Sequence, residues 1–323
     1  GDAQVAGILQ QAQRYEEAIA SYRKAIKADT RKSNIYSWQS NIISIYQQMG
    51  KDEEAEKAIL KWLPTLKNSS QIQAAQTMLV NILRKSGREQ EFLKTIEDQL
   101  KKKPKDSKLL NQLASTYRAL GNYVQAEKTF RKLLDAAPNA QNCQNYIYCL
   151  QNQSKHKDVV VAYEEMFKKF PNQKQSQMYN LMSACQRAGM IAELVRYGKE
   201  YVELQQSYSA AEQCARLLKS CRKFDEAIAA YELAVKRSGS SVSNQWRFKM
   251  EIAQIYRDLK KSEEALALAR ELAKIATNDS YRRRANEFLI SVLKTSGGIE
   301  DFIKDLKAGL EKNPKDKQNL QLL

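Results

Sequence analysis

The 323-residue chain carries 53 Lys and Arg against 37 Asp and Glu, a formal charge of +16, with 43% hydrophobic residues, 11 glycines and 5 prolines. No stretch approaches the roughly 18 apolar residues of a membrane-spanning helix, so no integral membrane contact is expected within this range. The five cysteines (Cys143, Cys149, Cys185, Cys214, Cys221) are odd in number and form no C-x-x-C pair. They are read as small buried packing residues, and they point to a reducing compartment such as the cytoplasm.

Apolar residues recur at helical spacing from the first residues onward, interrupted at regular steps by short turn signals. Residues 107–139 are the clearest unit. Leu110, Leu113, Ala114 and Tyr117 share one face of a first helix. Gly121-Asn122 breaks the chain, and Tyr123, Ala126, Phe130 and Leu133 line a second helix that Pro138 ends. The slot of Gly121 recurs at Gln13, Gly50, Gly87, Ser154, Gly189, Arg222, Lys260 and Gly297. Its small partner, which lets two helices approach closely, recurs as Ala18, Ala55, Ala126, Ala227 and Ala265, with Phe92, Val159, Leu194 and Phe302 elsewhere. Prolines close second helices at Pro104, Pro138, Pro171 and Pro314. The units predicted are 1–32, 33–70, 71–106, 107–139, 140–172, 173–207, 208–242, 243–280 and 281–316, with 317–323 opening a further helix.

This pattern resembles the tetratricopeptide repeat family, whose period is 34 residues. The resemblance implies an all-α fold, a right-handed α–α superhelix (solenoid) of about nine helix hairpins. It also implies that first helices line a concave groove where ligand is met. Residues 33–113 lie over 243–323 at one offset, matching Ser33-Asn34 with Ser243-Asn244, Asn68 with Asn278 and Lys105-Asp106 with Lys315-Asp316. These positions are not repeat slots, and the pairing reads as duplication of a six-repeat block. Both ends fall inside a unit, so the chain is expected to be part of a longer protein.

Catalysis has little to work with. The single histidine, His156, stands between Lys155 and Lys157 at a turn and reads as a spacer. There is no histidine pair for a metal and no glycine-rich phosphate loop, so no cofactor and no enzymatic activity are predicted. Acidic pairs such as Glu16-Glu17, Glu53-Glu54 and Glu263-Glu264 open second helices, where carboxylates suit the positive helix end.

Binding is the better prospect. One residue before the Leu-Ala pair, the units carry Gln4, Asn41, Met78, Gln112, Asn145, Asn180, Gln213, Glu251 and Phe288. A primary amide both donates and accepts, so a row of them can satisfy the backbone of an extended peptide. The row is similar to the asparagine ladder in the superhelical repeats of O-linked N-acetylglucosaminyltransferase. Near the ends of the same helices stand Arg84, Arg118, Arg187, Lys219 and Arg257, which would favour carboxylates or phosphates on the ligand. The expected peptide-binding residues are therefore Asn41, Gln112, Asn145, Asn180 and Gln213 with these five cations. Arg282-Arg283-Arg284 is a further candidate contact for an acidic partner, and Tyr36, Trp38, Trp62 and Trp246 are expected to pack the longer steps.

The preferred partner is a protein or peptide, acidic in character, in the concave groove of a scaffold. One alternative is RNA, because Tyr163-Glu-Glu-Met166 and the run from Tyr179 resemble pentatricopeptide repeats, whose units read one base each. Another is a recognition arm whose catalytic domain lies outside this range.

Overall fold

The computed structural model describes residues 1–29 and 34–312. Among them the chain forms eighteen α-helices and no strand. Ser33, Pro314, Lys315, Asp316 and the terminal leucines lie outside the described residues. The helices fall into two compact units, Gly1–Lys155 and His156–Leu323.

In the first unit these are α1 (Asp2–Gln11), α2 (Tyr15–Ala28), α3 (Ile35–Gln48), α4 (Asp52–Trp62), α5 (Ser69–Ser86), α6 (Glu89–Lys102), α7 (Ser107–Ala119), α8 (Tyr123–Ala136) and α9 (Ala140–Asn152). The second unit holds α10 (His156–Lys169), α11 (Lys174–Ala188), α12 (Ile191–Leu204), α13 (Tyr208–Ser220), α14 (Phe224–Arg237), α15 (Val242–Asp258), α16 (Ser262–Lys274), α17 (Asp279–Ser296) and α18 (Ile299–Lys312). Helices α17 and α18 begin and end 210 residues after α5 and α6.

The turns follow one local rule. Gln13, Gly50, Gly87, Gly121, Ser154, Gly189, Arg222, Lys260 and Gly297 all have positive φ. The amide after each returns to a carbonyl five residues earlier, as in Asn122 N to Tyr117 O at 2.9 Å and Lys261 N to Tyr256 O at 2.9 Å. This is the Schellman closure, which satisfies carbonyls a helix end leaves bare and demands a left-handed residue. Helix starts are equally local. Asn68, Asp106, Asn139, Ser207 and Asn278 cap α5, α7, α9, α13 and α17 by accepting from backbone amides of the first turn. The matched Asn68 and Asn278 thus do the same work 210 residues apart.

Packing follows from the small slot. Ala18, Ala55, Ala126, Ala227 and Ala265 are fully buried, which lets paired helices close on one another. Phe92 and Phe302 fill that slot elsewhere, and α5 with α6, like α17 with α18, touch along much less of their length than α7 with α8. Around α4 to α7 one core gathers Ile59, Trp62, Leu79, Leu83, Phe92 and Ile96; Tyr36 leans on Trp62 with ring centres 5.0 Å apart. In the second unit Trp246 stacks on Tyr281 at 4.4 Å and donates from Nε1 to Leu272 O at 3.0 Å.

Three pairs of odd-numbered helices touch across the helix between them: α3 with α5 and α5 with α7 in the first unit, α11 with α13 in the second. No two consecutive even-numbered helices share a comparable contact among the described residues.

Candidate functional site

In the first unit, α5, α7 and α9 bound a groove of about 430 Å³. Its walls are rich in amides, Gln73 and Gln76 on α5, Asn111 on α7, Asn142 and Asn145 on α9, with Lys108 of α7 beside them. Arg118 stands among them. Its Nη1 donates to Asn145 Oδ1 at 2.7 Å and its Nη2 to Gln76 Oε1 at 2.9 Å. The guanidinium also lies 5.9 Å from the Phe130 ring centre and 6.0 Å from that of Tyr148. No carboxylate pairs with it among the described residues, and burial holds its pKa below the ordinary arginine value. A guanidinium has five N–H donors; the two amides take two of them.

Of the predicted site residues, Arg118 and Asn145 meet directly here. Gln112 lines an adjoining cavity beside the groove. Asn41 lies apart and donates from Nδ2 to Tyr22 Oη at 3.0 Å. Arg84 lies outside the groove, lining a separate pocket, and its Nη2 donates to Leu120 O at 3.4 Å.

In the second unit several first-helix cations meet carboxylates of the same unit. Lys219 pairs with Glu251 at 2.8 Å, and Glu212 takes Arg216 at 2.7 Å as well as both ends of Arg247. Arg257 pairs with Asp258 at 3.2 Å and covers the Phe288 ring at 5.4 Å. Gln213 accepts from Tyr201 Oη at 2.6 Å, while exposed Asn180 donates to Gln177 at 2.7 Å. Arg187 is exposed. It stands one position past Gln186, which holds the place Arg118 holds before its own turn and donates to Ser220 Oγ at 2.6 Å. In the basic triplet, Arg282 pairs with Asp279 at 2.9 Å and Arg284 lies over Trp246 at 5.2 Å.

Gln76, Asn111 and Asn142 were not among the predicted residues. Their signal in the sequence is weak: Asn111 neighbours Gln112, and Gln76 stands two positions before Met78, the apparent break in the amide row. The fold places amides on the same wall from neighbouring positions of the row.

Among the groups that could act chemically, Cys149, Cys185 and Cys214 are buried, and burial pushes each thiol up to about 12. Among the described residues no three His, Cys, Asp or Glu side chains gather as metal ligands, and no helix is long and apolar enough to cross a membrane.

Family profiles described as tetratricopeptide repeat match residues 3–31, 109–144 and 215–280. Among curated proteins, no sequence matches this one. Among solved structures, the tetratricopeptide repeat (TPR) domain of P58(IPK) is 16% identical, with 100% of this chain and 95% of that one covered and a TM-score of 0.30. A tetratricopeptide repeat protein from Parabacteroides merdae ATCC 43184 is 13% identical over 76% of this chain and 94% of its own, at a TM-score of 0.32. YrrB, described as a TPR protein with an unusual peptide-binding site, is 13% identical over 59% of this chain and 97% of its own, at 0.38. With the profiles matching near its start, its middle and its second half, and with the same left-handed turn closing hairpin after hairpin, the chain is built from tetratricopeptide repeats.

Proposed function

We propose that the chain is a protein–protein interaction scaffold whose first-unit groove holds an extended, carboxylate-bearing segment of its partner. Tetratricopeptide repeat proteins are typically non-enzymatic scaffolds of this kind. The observation that carries the finer reading is Arg118. Partial burial of a guanidinium carries a desolvation cost that a counter-charge would offset, and half-buried Arg118 is given neutral amides instead. A ligand carboxylate on the remaining N–H donors would form the stronger, charge-assisted kind of hydrogen bond. The surrounding amides can satisfy peptide N–H and C=O groups without reading side chains. The second unit supports the contrast, because its first-helix cations Lys219 and Arg247 already meet Glu251 and Glu212.

Selection of random 12-residue peptides on the full chain tests this reading. The expected winners are enriched in Asp and Glu, and their binding weakens at least tenfold in Arg118→Gln, on the scale of about 1.5–3 kcal/mol for a charged hydrogen bond. Winners without acidic residues, or binding indifferent to Arg118→Gln, would overturn it.

A further inference from the structure

Beside the amide groove the first unit holds a second, larger cavity of about 720 Å³ between α4, α5, α6 and α7. Its origin is local. Pro64 follows the short helix α4 and sits in a single 3-10 turn, so the second helix of that hairpin ends early. Phe92 then occupies the alanine slot and keeps α6 off α5. The space left is walled by Leu60, Leu63, Leu66, Ile72, Phe92 and Ile96. The first four of these remain half-buried, so apolar surface is left uncovered at its edge. Of the charged side chains on its wall, Arg88 donates to Glu56 at 2.9 Å and to Glu91 at 3.4 Å, while Lys108 stands exposed at the edge.

The cavity is continuous with the groove. Ile72, Gln76, Lys108, Asn111 and Ser115 border both, with Lys108 exposed at the junction. Gln76 is also the acceptor of Arg118, and Ser115 lies on α7 about one helical turn, roughly 5 Å, before it. A guanidinium lacking a counter-charge and an apolar space lacking a filling thus stand within one side chain of each other.

We infer that this cavity receives a bulky apolar side chain of the same segment whose carboxylate meets Arg118. The recognised element is an acidic residue with a leucine- or phenylalanine-like residue no more than two positions away. In an extended chain, residues two apart face the same side at about 6.6 Å, so two such side chains point to the same wall. The inference rests on the reading of the groove given above. It adds the second half of the recognition element, and apolar cavities of this size with a few polar groups at the edge are the usual form of such sites.

The test uses fluorescein-labelled 12-residue peptides in a Gly-Ser background with one fixed Glu and with Leu, Phe, Ala or Lys at each position within two of it. Leu or Phe at one such position should bind at least tenfold tighter than Ala, as expected for burying a side chain of that size. Thr95→Trp, which fills the cavity from exposed Thr95 on its wall, should erase that preference while leaving the Ala peptide unchanged. Arg118→Gln should weaken every peptide of the set. If wild-type protein binds the Leu, Phe and Ala peptides equally while remaining sensitive to Arg118→Gln, the cavity inference is overturned and the groove reading stands. Loss of sensitivity to Arg118→Gln would overturn the groove reading, and the cavity inference with it. The comparison of peptides on wild-type protein decides the matter even if Thr95→Trp fails to fold.

Discussion

Arg118, in the last turn of α7, reaches forward to Asn145 on α9, the next first helix, at 2.7 Å. Lys219 on α13 reaches Glu251 on α15 in the same way, at 2.8 Å, and Arg257 on α15 covers Phe288 on α17. Three times, then, a cation ahead of a turn lies against the amide-row position of the following unit. The partner decides what that contact becomes: glutamate neutralises the cation, phenylalanine shields it, and an amide leaves its charge unanswered. Position in the repeat is shared, and the chemistry changes with one side chain.

Arg118→Gln should leave the fold nearly intact. Replacing a half-buried charge that lacks a counter-ion removes part of a desolvation cost, while Gln76 and Asn145 face a polar groove and can turn to water. Calorimetry should find stability within about 1 kcal/mol of wild type. A loss above about 3 kcal/mol would instead make Arg118 a structural strut between three helices.

At the turns, Gln13, Ser154, Arg222 and Lys260 hold φ between 56° and 60°, a region where a side chain with a Cβ is strained. Lys260→Gly and Arg222→Gly should each stabilise the protein by about 0.5–1 kcal/mol, the relief at the C′ position exceeding the extra backbone entropy of glycine. Each change should raise the melting temperature. A fall on both would show that something other than φ governs these turns.

Gly198 lies inside α12, where a Cβ would stand 2.8 Å from Cys214 Sγ on α13. Although alanine is the better helix former by about 1 kcal/mol, Gly198→Ala should destabilise by roughly 1–3 kcal/mol through overpacking. Cys214→Ala should recover most of that loss, giving a favourable coupling in a double-mutant cycle. Additive effects of the two changes would remove the clash as the explanation.

The buried thiols predict an alkaline limit. Cys149, Cys185 and Cys214 sit near 12 when folded, against about 8.5 for a free thiol. Between these values the unfolded chain releases thiol protons that the folded chain keeps. Stability is therefore whole below about pH 8.5 and falls as pH rises toward 12, by about 1.4 kcal/mol per pH unit for each group. In native protein at pH 8, an alkylating reagent should label half-buried Cys221 and spare these three. Equal labelling of all the cysteines would contradict their burial.

Much of the fold was legible because its rules are local. A left-handed residue must end each first helix, and the sequence puts a turn former or a tolerated substitute at each such place, from Gln13 to Gly297. A cap must start the next, as Asn68 and Asn278 do. The candidate site was legible in part. Arg118 and Asn145 belonged to two rows read separately, and only folding shows that the end of one helix touches the middle of another 27 residues later. Met78 looked like a break in the amide row, and Gln76, two positions earlier, is the α5 amide that faces the groove and accepts from Arg118. The cavity had no signal of its own. It is space, set by Pro64 shortening one helix and Phe92 propping another, and its polar edge belongs to residues chosen for neither purpose.

The most direct test of the account is the affinity of an acidic peptide, selected on the full chain, for three proteins: wild type, Arg118→Gln, and Lys128→Gln on helix α8. The account predicts at least a tenfold loss in Arg118→Gln and wild-type affinity in Lys128→Gln. Equal affinity for all three, or an equal loss in both variants, would mean that net positive charge rather than the first-helix groove attracts the peptide.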